Sequence, residues 1–268
     1  MDYRSSARNH LKRCEEELDS GNTERLKYAA LELRMAMEAL TYDRALAYKD
    51  EFPPTEYETW QPRKVMSVLL EIDPTADKDS AIACGIEKEY GVSAPVMTPL
   101  GSENVLNMAT LRKHYDALGS FLHIPSMKQS REGKVHDLQR LRNRCEEIAA
   151  SVRNVLSSPV FNAIFGNFAS VDCIVCGKRI RKRLPHGESE VRAECFECGA
   201  SYTIVGKGNG EVEWQPRQQE LECGNADCRQ KVYVWQHEIE AGRHWVCEGC
   251  GGQNRFALGI RYLAQDRT

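Results

Sequence analysis

No run of this chain approaches the length of apolar sequence needed to cross a bilayer. Nor does an apolar segment follow the opening MDYRSSARNH, so nothing there reads as a secretory leader. These absences predict a cytoplasmic protein without membrane contact, in a compartment where thiols stay reduced. Charge of one sign is missing too. The 36 Lys and Arg residues against 39 Asp and Glu leave a net charge of −3, which excludes a chain that binds nucleic acid through bulk positive charge. A phosphate-cradling loop is also absent. Gly206-Lys207-Gly208-Asn209-Gly210 lacks a strand–loop–helix setting and reads as a turn. No Ser or Cys nucleophile has a believable base beside it.

Cysteine, by contrast, is abundant and unevenly placed. Eight of the eleven cysteines lie in the last 96 residues, as two copies of one pattern. The first copy is Cys173-x2-Cys176, eighteen residues, then Cys195-x2-Cys198. The second is Cys223-x4-Cys228, eighteen residues, then Cys247-x2-Cys250. Paired knuckles at this spacing point to tetrahedral four-thiolate zinc sites. Disulfides fit poorly in a reducing compartment. A Cys-x-x-Cys redox pair or an iron–sulfur site are the remaining alternatives. With four cysteines each, the sites have no open position for catalysis, so the expected role is folding. His186, His237 and His244 lie nearby and are not needed as ligands. Gly177, Gly199, Gly224 and Gly251 flank cysteines where a knuckle turn calls for positive φ. A short turn is expected to gather each pair, and a β-hairpin between pairs to bring the pairs together. Strand-like stretches follow at Tyr202–Val205 and Lys231–Trp235. Across about residues 170–260 the pattern resembles the zinc-ribbon superfamily, twice in tandem. That resemblance implies two small ribbons of a kind that elsewhere bind DNA, RNA or protein.

Residues 1–160 read as helices. One spans 7–19 and stops at Ser20-Gly21; Asn22 or Thr23 caps the next. Its apolar positions Leu26, Ala29, Ala30, Leu33, Met37 and Leu40 keep helical spacing, which predicts a helix to about Lys49. Pro62 suits a first helical turn, in a helix ending near Asp73-Pro74. Residues 75–101 are mixed, with room for a hairpin. Ser102 is expected to cap a helix through Leu122, and Val135–Leu156 forms the closing helix before Pro159. Phe161, Ile164, Phe165 and Phe168 are expected to form an apolar joint. Cys14, Cys84 and Cys145 are too scattered to make a site.

The stretches LELRMAMEALTYDRALAY (31–48) and LRKHYDALGSFLHIPS (111–126), with the long closing helix, resemble the HEPN helical-bundle superfamily. The resemblance covers about residues 5–157. It maps that family's Arg, Glu and Tyr-x-x-Leu-x-x-Phe-x-His positions onto Arg34, Glu38, Tyr115, Leu118, Phe121 and His123. It also implies a possible homodimer through the bundle. Nuclease members of the family cut RNA without a metal, through an Arg-x4-6-His motif. Here Arg112 stands eleven positions before His123, which departs from that motif. The segment Arg131-Glu132-Gly133-Lys134-Val135-His136 has the spacing. His136 would then move protons and Arg131 would stabilise developing phosphate charge. Among seven histidines one such spacing arises easily by chance, and Gly133 reads as loop. His123 reads as a capping or core-edge residue beside Pro125.

The tail from residue 171 carries 14 basic and 14 acidic side chains. Only Lys178-Arg179-Ile180-Arg181-Lys182-Arg183 concentrates cations. These five cations either contact nucleic-acid phosphates or form a solvated strand that offsets the thiolates. Tyr202, Trp214, Tyr233, Trp235, Trp245 and Phe256 form either a base-stacking face or the ribbon cores. The expected architecture is α+β: a HEPN-like bundle over 1–160, then β-hairpin zinc ribbons over 161–210 and 211–268. The expected cofactor is zinc, two structural ions. The expected role is recognition of nucleic acid, a protein partner or both, with an endoribonuclease and a purely protein-binding adaptor as alternatives.

Overall fold

The computed structural model describes residues 1–52, 61–89, 92–124, 126–133, 137–185, 187–208 and 210–259. The chain divides into two compact units, Met1–Phe165 and Gly166–Thr268. Helices make up most of the first and small antiparallel sheets the second.

The helical unit begins with α1 (Tyr3–Asp19), which Asp2 caps by accepting from the Ser5 N–H at 2.9 Å. Asn22 then caps a single 3₁₀ turn, Thr23–Arg25, before α2 (Leu26–Ala47). This differs slightly from the expected continuous helix, because the Asn22 cap closes a tighter first turn. α2 is the hub: it packs against α1, α3 (Pro62–Ile72), α4 (Met108–Leu122) and α6 (Leu138–Leu156). Contact with four partners requires burial around most of its girth. Small residues Ala29, Ala30, Ala36, Ala39 and Ala45 allow close approach, while Leu33, Met37 and Leu40 fill the gaps. α5 (Met127–Arg131) is a single short turn.

Between α3 and α4 the mixed segment does form a hairpin, β1 (Ser80–Cys84) with β2 (Thr98–Glu103). It displaces one expected feature. Ser102 lies inside β2, and Asn107 is the residue that caps α4, accepting from the Thr110 N–H at 2.8 Å. The strand is held by its last residue. The Glu103 carboxylate, 4% exposed as a side chain, pairs at 3.0 Å with the equally buried Arg44 guanidinium of α2. Arg44 also donates to the Ala76 carbonyl at 3.0 Å. Asp137 caps α6 by accepting from the Arg140 N–H.

Of the four residues expected to form an apolar joint, three belong to the helical unit. Ile164 packs on the helical core and Phe165 is 67% exposed. Phe161 lies under the Arg4 guanidinium, and Phe168 belongs to a strand of the second unit.

Among the described residues, the second unit contains four hairpins that each carry one cysteine pair at the turn, and one further strand. β3 (Asn167–Asp172) and β4 (Arg179–Leu184) flank Cys173 and Cys176. β5 (Glu190–Glu194) and β6 (Ser201–Gly208) flank Cys195 and Cys198, with β7 (Glu211–Pro216) added to β6. β8 (Gln218–Glu222) and β9 (Lys231–Trp235) flank Cys223 and Cys228. β10 (His244–Val246) and β11 (Gln253–Arg255) flank Cys247 and Cys250. The hairpins therefore surround each pair, where one hairpin between pairs was expected. β4 and β5 belong to different sheets.

Candidate metal centres and a basic face

Three of the four knuckles share one backbone design. In each, the first cysteine's carbonyl accepts from the glycine after the second cysteine: Gly177 to Cys173, Gly199 to Cys195 and Gly251 to Cys247, at 2.8–2.9 Å. These glycines have φ of 70°, 75° and 70°, the left-handed region where a Cβ is costly. The fourth knuckle is two residues longer, and there Arg229 takes the left-handed position, at φ 47°. Gly224 is not among the residues with positive φ, so the expected role of that glycine passes to Arg229.

The turns gather the sulfurs in two sets, Cys173, Cys176, Cys195 and Cys198, and Cys223, Cys228, Cys247 and Cys250, each set within 4.8 Å. In the first, Cys173 and Cys198 lie 3.6 Å apart, and Cys176 and Cys195 3.5 Å. In the second, Cys223 and Cys250 lie 3.8 Å apart, and Cys228 and Cys247 3.7 Å. A tetrahedron with 2.3 Å metal–sulfur arms has edges of about 3.8 Å. The spacing therefore fits a four-thiolate metal ion at each cluster.

Electrostatics say the same. Burial raises the Cys173 thiol, yet the Tyr202 hydroxyl and nearby backbone N–H groups more than offset this and bring it to about 6. Burial and the neighbouring sulfurs push Cys198 up to about 12. In the second cluster, chiefly the Gly252 N–H brings Cys250 down to about 7, while Cys228 rises to about 11. One thiolate forms readily in each cluster, and full ionisation needs a cation at the centre.

Each cluster has a polar supporter that sequence reasoning missed. The buried Tyr202 hydroxyl donates to Cys173 Sγ at 3.3 Å and accepts from the Ile174 N–H at 3.1 Å. The Asn254 side-chain amide donates to Cys223 Sγ at 3.4 Å, and its oxygen accepts from the Gly224 N–H at 2.7 Å. The only available signal was a polar side chain a few residues from a knuckle, which does not say which sulfur it reaches.

Tyr202 also packs against Trp214 and Trp235, with ring centroids 5.9 and 5.5 Å away. Trp245 packs on Phe256 at 4.9 Å. Of the six aromatics weighed as a stacking face, only Tyr233 is mostly exposed. Tyr202, Trp214 and Trp235 belong to the core of the second unit, and Trp245 and Phe256 are half-buried against each other.

The basic segment falls on β4. Its register sets Arg179, Arg181 and Arg183 opposite Asp172, Ser170 and Phe168, so the three arginines share one face. Arg181 and Arg183 lie over the Phe168 ring, at 3.9 and 4.8 Å from its centroid. Lys182 lies on the opposite face with buried Ile180, and Lys178 precedes the strand.

In the helical unit, Arg34, Glu38 and Tyr115 do come together. The Tyr115 hydroxyl donates to the Glu38 carboxylate, and the Arg34 guanidinium lies 4.1 Å from the centre of the Tyr115 ring. Leu118 is buried in the core, Phe121 packs against it, and His123 is the C-cap residue of α4. Arg131 ends α5, while His136 and His186 lie outside the described residues. Among the described residues no helix is long and apolar enough to cross a membrane. No family model, curated protein or solved structure matches the chain.

Proposed function

We propose that the chain is a zinc-dependent recognition protein with two ribbons, 161–210 and 211–268, the first of which contacts nucleic acid through the arginine face of β4. Zinc is the ion proposed because all eight ligands are thiolates in closed sets of four. The observation that carries the nucleic-acid reading is the register that puts Arg179, Arg181 and Arg183 side by side. Planar guanidinium groups in a row match successive phosphates better than scattered lysines do. The helical part, 1–160, is proposed to be HEPN-like and to provide dimerisation or docking. By analogy of fold alone, we further propose a role in a bacterial nucleic-acid-related or antiviral defence system.

The test is binding of the zinc-loaded protein to labelled single- and double-stranded DNA and RNA across a salt series. Binding that weakens steeply with salt, and a flatter slope in an Arg179→Glu/Arg181→Glu/Arg183→Glu variant, supports the reading. Affinity unchanged in that variant overturns it. A protein-binding adaptor is favoured by one observation. The knuckle tips of the first ribbon expose Ile174 (65%), Val175 (54%) and Phe196 (48%). Absence of nucleic-acid binding at low salt, with a stable protein partner co-purifying, selects that reading.

A further inference from the structure

One turn of the second ribbon lies against the first cysteine cluster. β9 ends at Trp235, and the 3₁₀ turn Gln236–Glu238 follows it. Two side chains from this stretch reach the two knuckles of that cluster. The buried Trp235 ring packs on Tyr202 with centroids 5.5 Å apart, and the Tyr202 hydroxyl donates to Cys173 Sγ. The His237 ring rests on the other knuckle. Three of its atoms stand 3.2–3.3 Å from where a Cβ on residue 199 would be. Gly199 closes the turn of Cys195 and Cys198 at φ 75°, which favours glycine, and the missing side chain leaves the space the imidazole occupies.

The second ribbon holds the same turn from its other side. Glu238 accepts from the Trp235 N–H at 3.1 Å and from the Arg243 guanidinium at 2.9 Å. Arg243 immediately precedes β10, and its carbonyl accepts from the Phe256 N–H at 2.8 Å, just past β11. Glu238 therefore ties the turn to the hairpin that carries Cys247 and Cys250. That hairpin pairs strands of three residues each, and isolated two-stranded hairpins are marginal in water. Its position depends on the ion that joins it to Cys223 and Cys228. The joint between the ribbons is braced as well. Arg217 alone separates β7 from β8; its N–H donates to the Ser201 carbonyl at 2.8 Å and its carbonyl accepts from the Gln236 N–H at 3.4 Å.

We propose that Trp235 and His237 are positioning residues for the first metal site, and that through them an ion in the second site tightens the first. The proposal rests on the zinc reading of both clusters and not on nucleic-acid binding. Coupling between sites requires contacts that differ between two states. With the second ion bound, the β10–β11 hairpin holds Glu238 and the turn braces both knuckles. Without it, Arg243 leaves Glu238 and the brace is released. The coupling follows whether a site is occupied, so a change that weakens one site without emptying it leaves the other unaffected.

Competition with a chromophoric chelator on the full chain tests this, with the first site followed through the amide resonances of Gly177 and Gly199. Cys247→Ser/Cys250→Ser removes two ligands of the second site and none of the first. It is expected to weaken zinc binding at the first site about tenfold and to shift the Gly199 resonance. The same change is then made in a His237→Ala/Glu238→Ala background, which removes the brace while leaving every ligand and the core residue Trp235 in place. There the further loss is expected to be about twofold or less, the level at which independent sites add, with the Gly199 resonance unmoved. First-site affinity unchanged by loss of the second site's ligands overturns the proposal. So does an equal loss in both backgrounds, because the coupling would then bypass this turn. Fewer than two zinc ions bound by the unaltered chain overturns the zinc reading itself, which separates that failure from failure of the coupling.

Discussion

Tyr202 shows how much one side chain does in the second unit. Its hydroxyl holds the Cys173 sulfur while its ring separates Trp214 from Trp235. Tyr202→Phe keeps the rings and removes the donor. Zinc affinity of the first cluster is then expected to fall about 10- to 100-fold, as for other groups that support metal ligands, while the second cluster is unchanged. Competition with a chromophoric chelator reads the two sites; equal loss at both would contradict the assignment. Arg229 offers the converse case. It occupies the left-handed conformation that three glycines occupy in the other knuckles. Arg229→Gly is expected to stabilise the zinc-loaded second ribbon by about 1 kcal/mol, measured as a higher unfolding midpoint in denaturant.

Among the elements, α4 combines several demands on its two faces. One face buries Met108, Leu111, Leu118 and Gly119 with His114. His114 is 4% exposed, and among the described residues its Nδ1 has no hydrogen-bond partner. Burial lowers its pKa below the ordinary 6.5, against the opposing pull of Glu147, whose carboxylate is 3.6 Å from Nε2. The unfolded chain then binds more protons than the folded one below about 6.5. Stability from the neutral imidazole is complete above that pH and declines as pH falls through the lower folded value. His114→Leu should therefore reduce the loss of stability between pH 7 and 5, read from denaturant melts at both pH values. An unchanged difference would mean that His114 is not a source of the acid slope. Four hairpins of the second unit are organised differently, since each is short and carries a cysteine pair at its turn.

At the scale of the whole molecule, the two units rest on different physics. The helical unit has a continuous apolar core spread over α1, α2, α3, α4 and α6. The second unit has a small core around Tyr202, Ile204 and Trp235 and two clusters of cysteines. Removing zinc with a chelator is expected to unfold the second unit and leave the first folded. Far-UV circular dichroism should keep its helical signal, while the amide resonances of residues 166–259 collapse toward random-coil positions. Retention of those resonances without metal would show that the hairpins stand on packing alone.

What could be read from the chain alone was local. Both cysteine clusters were legible because a cysteine pair and its turn span only a few residues, and the repeat marked the pairs that belong together. Most helices were legible because capping residues such as Asn22 and the apolar rhythm of α2 act within one or two turns. Ser102 misled because the buried pairing of Glu103 with Arg44, distant in sequence, made that segment a strand. Five cations between 178 and 183 were visible as a run, but only strand pairing sorted them, placing three arginines on one face and Lys182 on the other. Tyr202 and Asn254 gained their roles from the folding of hairpins onto each other. Arg34, Arg63 and Arg112 carry no shared sequence signature, because they are brought together only when three helices pack. Spacing along the chain fixes what a turn can gather, while sites assembled from separate elements are decided by the packing that brings those elements into contact.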